Sequence, residues 1–282
     1  MTDLFSDLPE YRRTSLGKTE IIYKTAASIL TEGKGFMGDY DYTLNPYSGC
    51  SFGCSYCYAA FFARSIEQRN NWGYWLQVKE NAVDLLTKFR RKPLDGKTIY
   101  MSSVTDPYQP IEKELELTRS LLKELAAYHQ PRLVIQTRSP VSVRDIDLFK
   151  KFDTIQVNMT ITTDSETVRK VFEPLCPSNE TRLDAITKVQ EAGINSCITI
   201  TPLLPTENPE IFVERLLNTG VKKFVIQPFH LDKGKFMANT REEAIELIKK
   251  MDWTIYKYQN VFELIKKYIP QIGIGKEGFK PI

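Results

Sequence analysis

The sequence predicts an α/β protein, built as a partial (β/α)6 TIM-like barrel with a mainly helical C-terminal extension. The prediction depends on short apolar runs rich in β-branched residues, on helical spacing between them, and on the repeated alternation of the two. The runs lie at residues 41–46, 98–104, 132–137, 154–162, 195–204 and 223–229. Such alternation is typical of a parallel sheet covered by helices. Because six strands are fewer than the eight of a closed barrel, we expect an open one.

Segments with helical spacing separate the predicted strands. They lie at residues 81–91, 113–129, 143–152, 182–192 and 209–219. In the second segment Leu121, Leu122 and Leu125 fall close to one face, which predicts a helix packed on the sheet. The charged stretch 240–269 predicts one long helix or two short ones. The tail after it carries three Gly and two Pro, and we expect it to be irregular.

Residues 1–40 show no clear period. We expect them to cover one mouth of the barrel or to be partly disordered. The chain is therefore expected to divide into an N-terminal extension, 1–40, a core barrel, 41–230, and a helical C-terminal extension with its tail, 231–282.

The composition narrows the class of protein. The 282 residues carry 38 Lys and Arg against 35 Asp and Glu, a net charge of +3. Such a balance weakens the case for a strongly electrostatic nucleic-acid binder, although a local basic groove stays open. The sequence contains no apolar run near the roughly 20 residues of a membrane span, and its start is acidic, so we expect a cytoplasmic protein. Five cysteines, an odd number, argue for reduced thiols rather than a disulfide framework.

Three of the cysteines, Cys50, Cys54 and Cys57, stand in the spacing C-x-x-x-C-x-x-C directly after the first predicted strand. Gly49 and Gly53 allow the loop to curl so that three sulfurs converge. Soft thiolates favour zinc or an iron–sulfur cluster. A structural zinc site needs four ligands, and the remaining candidates stand alone in the sequence: Cys176, Cys197, His129 and His230. Three cysteines on a cubane cluster would instead leave one iron open to a small molecule.

This motif, following the first strand of an α/β partial barrel, resembles that of the radical S-adenosylmethionine (radical SAM) enzymes. The resemblance implies a 4Fe–4S cluster on Cys50, Cys54 and Cys57, with S-adenosylmethionine chelated at the open iron. It also implies a 5′-deoxyadenosyl radical that abstracts a substrate hydrogen. A reductant protein such as flavodoxin or ferredoxin would supply the electron. A zinc site and three unliganded thiols are the alternatives.

Further segments resemble the spore photoproduct lyase-like branch of this superfamily. They are 45–59, 102–115, 135–149, 172–194 and 201–205. In spore photoproduct lyase a cysteine near the end of the second strand donates hydrogen, whereas here that stretch reads YMSSVTDPY. We therefore do not expect thymine-dimer lyase activity. Tyr100, Tyr108 and Cys176 are candidates for the missing donor.

The resemblance also implies roles for residues at the strand ends. Tyr56 would lie against the adenine of the cofactor. Ser102 and Ser103 would face the methionine amino group, and Arg138 would bind the carboxylate. Thr160 and Thr162 would donate hydrogen bonds to the ribose or carboxylate. Each has a structural alternative, because aromatic, hydroxyl and guanidinium groups are also ordinary residues of loops and strand ends.

Other residues could contact substrate. Asp106, Tyr108 and Gln109 follow the second strand at the expected mouth of the barrel, although an Asp-Pro sequence also simply forms turns. Cys176 lies in a loop near the same face, and Cys197 is most simply a core residue. We expect Glu173 and Arg182 to form a structural ion pair.

The remaining surface features have a default structural interpretation. Most of the basic pairs are expected to be solvated, since sequence alone does not show them converging on one groove. The aromatic segment 69–78 is a candidate stacking platform or protein contact; its alternative role is packing under a loop.

Two classes of function follow. The first is a radical SAM enzyme that acts on an unknown substrate, with a nucleic-acid base or nucleotide as the leading class by resemblance, and a peptide or protein as the runner-up. Against the runner-up, this sequence lacks the cysteine-rich extension that many peptide- and protein-modifying radical SAM enzymes carry. The second is a non-catalytic protein in which the three cysteines hold zinc or a cluster.

Overall fold

The computed structural model describes residues 12–229 and 240–282. Their strands are β1 Ser15–Leu16, β2 Thr19–Lys24, β3 Leu30–Glu32, β4 Tyr42–Leu44, β5 Tyr47–Gly49, β6 Trp75–Lys79, β7 Thr98–Met101, β8 Arg132–Thr137, β9 Ile155–Thr160, β10 Asn195–Leu203, β11 Lys223–Pro228 and β12 Gly273–Ile274. Their α-helices are α1 Ile66–Asn70, α2 Ala82–Thr87, α3 Glu112–Leu115, α4 Leu117–Tyr128, α5 Ile146–Phe149, α6 Glu166–Phe172, α7 Asn179–Glu191, α8 Pro209–Asn218, α9 Glu242–Lys250, α10 Ile255–Tyr268 and α11 Gly275–Gly278.

The main sheet has the order β12-β11-β10-β9-β8-β7-β4-β3. From β4 to β12 every neighbouring pair is parallel, and β3 joins β4 antiparallel at one edge. All six predicted strands are present, so the predicted α/β class with a parallel sheet is confirmed. Because parallel strands end at the same edge, the segments that follow β4, β7, β8 and β9 meet there.

A second sheet, with the order β1-β2-β6-β5, is absent from the sequence prediction. Its central pair, β2 and β6, is parallel and joins Glu20 to Trp75 across more than fifty residues. The strand β5 has only three residues and lies between β4 and Cys50. Strands this short leave little periodicity to detect. The segment 69–78 thus contributes a strand, and its Trp72 and Trp75 are buried, which agrees with the packing alternative.

The helices differ from the prediction mainly at their boundaries. The predicted helix 113–129 divides at Glu116, whose φ of +48° ends α3. The Glu112 carboxylate then accepts a hydrogen bond from the backbone N–H of Thr118 at 3.0 Å, inside the first turn of α4. The helix α6 was not predicted. The stretch 240–269 forms the two helices α9 and α10, separated at Asp252, whose φ is +49°.

A small cluster of apolar and aromatic residues packs against the main sheet. Met37 and Tyr40 pack there with Tyr100 of β7 and Phe279 of the C-terminal tail. The rings of Tyr40 and Tyr100 meet edge to face at 5.2 Å. Among the described residues, no helix combines the length and the apolar character that crossing a membrane requires.

The apolar face of α4 gives a test of this packing. Leu121 is completely buried against the sheet. We expect Leu121→Ala to lower the free energy of unfolding by about 2–5 kcal/mol, because the truncation loses buried surface and leaves a cavity. Urea denaturation measures the change. Lys123→Ala on the exposed face of the same helix is the control, and an equal loss in both variants would contradict the assigned face.

Candidate active site at the cysteine loop

The three cysteines lie on a loop that packs closely on the second sheet. Gly49 has a φ of +78°, and a Cβ there would stand 2.6 Å from the carbonyl oxygen of Trp75. Gly53 has a φ of +57°, and a Cβ there would stand 3.1 Å from the Cα of Gly73. Both positions therefore favour glycine, for the conformation and for the space. The second sheet thus sets the path of the loop from behind.

The segment that follows β7 holds the loop from the other side. The Thr105 hydroxyl donates to the carbonyl oxygen of Gly49 at 2.6 Å, and the Gln109 side-chain oxygen accepts from the Ser51 backbone N–H at 2.8 Å. The Tyr58 hydroxyl donates to the carbonyl oxygen of Ser103. These bonds join both ends of the cysteine loop to the carboxyl edge of the main sheet. Gln109, which the sequence offers as a substrate contact, is used here to fix the loop.

The thiols differ in environment. Cys50 and Cys54 are buried, whereas Cys57 is partly exposed. Burial raises the pKa of Cys50 well above its ordinary value and that of Cys57 to about 12. The Sγ atoms of Cys54 and Cys176 are 3.6 Å apart, and this contact lowers the pKa of Cys54. Both of these thiols are therefore protonated at neutral pH.

A buried carboxylate, Glu173, joins the loop to the sheet. It accepts a hydrogen bond from the hydroxyl of Tyr56 on the cysteine loop. Its other partners come from the neighbouring strand ends and from α7: Arg138 Nε at 3.5 Å, the Thr162 hydroxyl at 3.2 Å and Arg182 Nη2 at 2.6 Å. The expected ion pair between Glu173 and Arg182 is therefore present, with both side chains fully buried.

The charges around Glu173 determine its protonation. Burial by itself raises the pKa of this carboxyl, but the guanidinium groups of Arg182 and Arg138 outweigh it and lower the pKa to about 2. Burial also raises the pKa of Tyr56 well above its usual value, so the phenol stays protonated and donates a hydrogen bond to Glu173. The network thus consists of one carboxylate, two guanidinium groups and a neutral phenol.

The serines after β7 lie beside the loop. Ser102 has a φ of +75°, an unusual conformation for a residue with a side chain, and such conformations cluster at functional sites. Its hydroxyl is buried and has no hydrogen-bond partner among the described residues. The hydroxyl of Ser103 accepts from the Asn45 side chain at 3.3 Å. Ser102 thus has an unused polar group at the edge where a cofactor is expected.

Thr160, at the end of β9, and Thr162, just after it, belong to two different hydrogen-bond networks. The Thr160 hydroxyl accepts from Gln136 Nε2 at 2.7 Å and lies 3.0 Å from the Thr199 hydroxyl, within the sheet. Thr162 contacts Glu173 instead. The structure therefore brings Thr162 together with Tyr56 and Arg138, and leaves Thr160 on the strand face.

Asp106 and Tyr108, two candidates for substrate contact, have structural roles instead. Asp106 is buried, and its carboxylate accepts from the backbone N–H of Tyr108 at 2.9 Å, from the Thr137 hydroxyl at 2.8 Å and from the backbone N–H of Arg138 at 2.8 Å. It thereby orients the turn that carries Arg138. Tyr108 is fully buried in the main core, away from the cysteines.

The four residues that could supply a remote zinc ligand lie in different places. Cys176 is brought to Cys54, whereas Cys197 packs with Tyr40 and Tyr100 in a separate cluster. His129 is buried beside Glu124, with 3.5 Å between His129 Nε2 and the carboxylate. His230 lies outside the described residues. The proximity of Cys176 to Cys54, across more than a hundred residues, could not be found from sequence spacing.

The donor set fits an iron–sulfur cluster. Three soft thiols share one loop, and Ser102, whose hydroxyl has no partner among the described residues, directly precedes Ser103, which is bonded to Tyr58. Within residues 12–229 and 240–282, no three Cys, His, Asp or Glu side chains already surround a single metal position.

The Glu173 network gives a second test. We expect Glu173→Gln to lower the free energy of unfolding at pH 7 by about 3–5 kcal/mol, because the buried Arg182 and the partly buried Arg138 lose their counter-charge. The native pKa is about 2, below the ordinary 4.5. The contribution is therefore complete above pH 4.5 and is lost as the pH falls towards 2.

Denaturation of both proteins between pH 7 and pH 3 measures this. The difference between them should stay constant down to about pH 5 and then shrink. Glu180→Gln, at an exposed carboxylate on α7, is the control. A difference that grows on acidification would contradict the assignment.

The chain also matches known proteins. The family model described as Radical SAM superfamily matches residues 44–217, more than half of the chain. An uncharacterised protein of Methanocaldococcus jannaschii is 44% identical over 164 residues, which are 58% of this chain and 61% of that protein. The Radical SAM Nalpha-GlyT isomerase of Pseudomonas phage M6 is 25% identical over 161 residues, 57% of this chain and 32% of the isomerase.

Among solved structures, spore photoproduct lyase complexed with dinucleoside spore photoproduct matches with a TM-score of 0.59 and 16% identity, over 90% of this chain and 81% of the lyase. At this identity the likeness is one of fold, and it confirms the expected partial-barrel architecture. The chain belongs to the radical SAM superfamily, and is thus an enzyme of the class that uses a 4Fe–4S cluster and S-adenosylmethionine.

Proposed function

We propose that Cys50, Cys54 and Cys57 hold the 4Fe–4S cluster and that the protein abstracts a hydrogen atom from a nucleic-acid base or nucleotide. The observation that supports this most directly is the loop itself, held by the second sheet on one side and by the segment after β7 on the other. When bound, the cluster and S-adenosylmethionine supply the 5′-deoxyadenosyl radical.

The residues of the chain would bind and orient the cofactor. Arg138 carries a positive charge next to the loop, and its Nη2 donates to the Tyr56 hydroxyl at 3.1 Å. The methionine carboxylate would approach this guanidinium, while the Ser102 hydroxyl would face the amino group. Because Arg138 is held by Tyr56 and Glu173, its position is set before the cofactor binds, and little ordering is needed.

The substrate class rests on two lines of support. The phage isomerase is similar to this chain in sequence, and spore photoproduct lyase is similar to it in fold. The lyase structure contains a dinucleoside spore photoproduct. The face of the main sheet also carries neutral hydrogen-bonding groups, in which the Tyr100 hydroxyl donates to Gln136 at 2.9 Å and Gln136 donates to Thr160 and Thr199. Uncharged amide and hydroxyl groups suit a neutral base.

A reductant protein such as flavodoxin or ferredoxin would deliver the electron, and we place the enzyme in the cytoplasm, where thiols stay reduced. A zinc ion on the loop in place of the cluster is the alternative metal site, and one observation favours it. Cys176 lies 3.6 Å from Cys54 and would supply a fourth thiolate.

Reconstitution tests the proposed function. Anaerobic protein supplied with iron, sulfide, dithionite and S-adenosylmethionine should form 5′-deoxyadenosine, which mass spectrometry detects. We expect Cys54→Ala to abolish the product, because a cluster ligand is lost, while most of the fold remains. Cys197→Ala, at a buried thiol remote from the loop, should keep the cluster and cost about 1 kcal/mol of stability. Cofactor cleavage by Cys54→Ala would show that the ligands are assigned wrongly.

Replacing Cys176 separates the two metal sites. If the three loop cysteines alone hold the cluster, Cys176→Ala should bind as much iron and sulfide as the unaltered protein, and its cluster absorbance should persist. A four-thiolate zinc site would instead lose most of its affinity with one ligand removed. Metal analysis of both proteins after purification distinguishes these outcomes, with Cys197→Ala again as the control.

A further inference from the structure

Cys176 is a buried thiol that the proposed chemistry does not use. It lies in the loop after α6, more than a hundred residues from the cysteine loop, yet its Sγ is 3.6 Å from that of Cys54. Cys54 and Cys176 are each only 6% exposed. The structure therefore places a second thiol directly against one of the proposed cluster ligands.

Hydrogen bonds between the two segments hold these thiols together. The backbone N–H of Ser55, next to Cys54, donates to the carbonyl oxygen of Phe172 at the end of α6, at 2.8 Å. The hydroxyl of Tyr56 donates to the carboxylate of Glu173. Consecutive residues of the cysteine loop are thus bonded to consecutive residues at the end of α6, and the two sulfurs meet beside these bonds.

The loop that carries Cys176 is fixed by Arg169 of α6. The Nη1 of this arginine donates to the carbonyl oxygens of Glu173 and Cys176, at 3.1 and 2.8 Å. The Cys176 backbone N–H donates to the Glu173 carbonyl oxygen at 3.1 Å. A disulfide bond is about 2.05 Å long, so the two sulfurs have to approach each other by about 1.5 Å, a shift on the scale of a side-chain rotation.

A small oxidant has access to Cys54. A pocket of about 50 Å³ is lined by this thiol, by the partly exposed Cys57 and by the exposed Asn70, so it opens to solvent. One water molecule needs roughly 10–15 Å³ of such space. The pocket therefore admits hydrogen peroxide, whereas a larger oxidant such as glutathione disulfide does not fit.

We propose that Cys176 is the resolving thiol of a redox switch on Cys54, in which hydrogen peroxide closes a disulfide between them in the cluster-free protein and so blocks cluster loading. The inference rests on the proposed function, since it concerns the regulation of the same site and takes Cys54 as a cluster ligand. Metal binds the thiolate form of cysteine. A sulfur held in a disulfide has no thiolate to offer, so the loaded and the closed forms exclude each other.

One molecule of peroxide balances the reaction. The Cys54 sulfur attacks a peroxide oxygen, the O–O bond breaks, and a sulfenic acid forms while water leaves with the thiol proton. The Cys176 sulfur then attacks the sulfenic sulfur, the S–S bond forms, and the hydroxyl leaves as a second water with the Cys176 proton. A dithiol reductant reverses the bond by exchange. The pairing also preserves the ligand, because a sulfenic acid left alone is oxidised irreversibly to sulfinic acid.

Peptide mapping tests the pairing. Cluster-free protein is reduced, desalted, treated with one equivalent of hydrogen peroxide, alkylated and digested with trypsin in the absence of reductant. Cleavage after Lys and Arg leaves the three loop cysteines on peptide 35–64 and Cys176 on peptide 171–182. We expect mass spectrometry to find these two peptides covalently linked, and dithiothreitol to separate them.

Variants identify the sulfurs. The link should be lost in Cys54→Ala and in Cys176→Ala, and it should persist in Cys50→Ala and Cys57→Ala. Cys197→Ala, at a buried thiol in a separate cluster, is the matched control and should keep the link. Fragmentation of the linked peptides from the unaltered protein locates the sulfur even if one variant fails to fold. A link that persists in Cys54→Ala would contradict the proposed pairing.

Metal loading tests the consequence. Cobalt(II) is the probe, because its thiolate absorbance reports bound sulfur without the sulfide and reductant that would open a disulfide. The oxidised protein should lose most of this absorbance, and treatment with dithiothreitol followed by its removal should restore it. Full absorbance in protein that carries the link would overturn the switch, because loading would not be blocked.

The outcomes separate this inference from the proposed function. If 5′-deoxyadenosine forms but peroxide gives no link between the two peptides, the switch is wrong and the radical chemistry stands. If the link forms but Cys54→Ala still cleaves the cofactor, the ligand assignment is wrong, and the switch on loading is wrong with it. If reduced Cys176→Ala fails to bind metal, Cys176 is a ligand rather than a resolving thiol, and the proposal is overturned.

Discussion

The carboxylate of Glu173 is the point on which the site depends. Four separate parts of the chain converge on it: the cysteine loop through Tyr56, the end of β8 through Arg138, the end of β9 through Thr162, and α7 through Arg182. A buried charge is tolerated only when it is paired and hydrogen-bonded. The requirement to satisfy this carboxylate therefore fixes the loop against the sheet, and it also keeps a guanidinium beside the cysteines.

The loop is held on its other sides by the backbone rather than by charge. Gly49 and Gly53 adopt left-handed conformations and touch the second sheet, while Thr105 and Gln109 bond to the loop from the main sheet. A loop restrained in this way presents its three thiols with little further ordering. Ser102 is buried, and the ring of Tyr58 is held by the hydrogen bond from its hydroxyl to Ser103. Both side chains therefore have less conformational freedom than residues on the surface usually have.

Much of the fold could be predicted because its signals are local. The six parallel strands lie in apolar runs of the sequence, whose composition indicates burial on both faces. In the second sheet β1 and β5 have only two and three residues, and β2 and β6 pair with each other across more than fifty residues. The sequence does not predict the division of the helix at Glu116 either. That division goes with a hydrogen bond from the N–H of Thr118 to the Glu112 side-chain carboxylate, which the helical pattern does not indicate.

The sequence by itself determined the parallel α/β class, the cysteine motif and the superfamily, because strand composition and ligand spacing within eight residues are properties of the chain. The tertiary structure alone decided which distant groups surround that motif. It brought Cys176 to Cys54, and it bonded Gln109 to the cysteine loop and Asp106 to the turn that carries Arg138. It also left the Ser102 hydroxyl without a hydrogen-bond partner in the part of the chain that the structure describes. The physical reason is that hydrogen bonds and charges are satisfied in space, by partners whose separation along the chain carries no information about their distance.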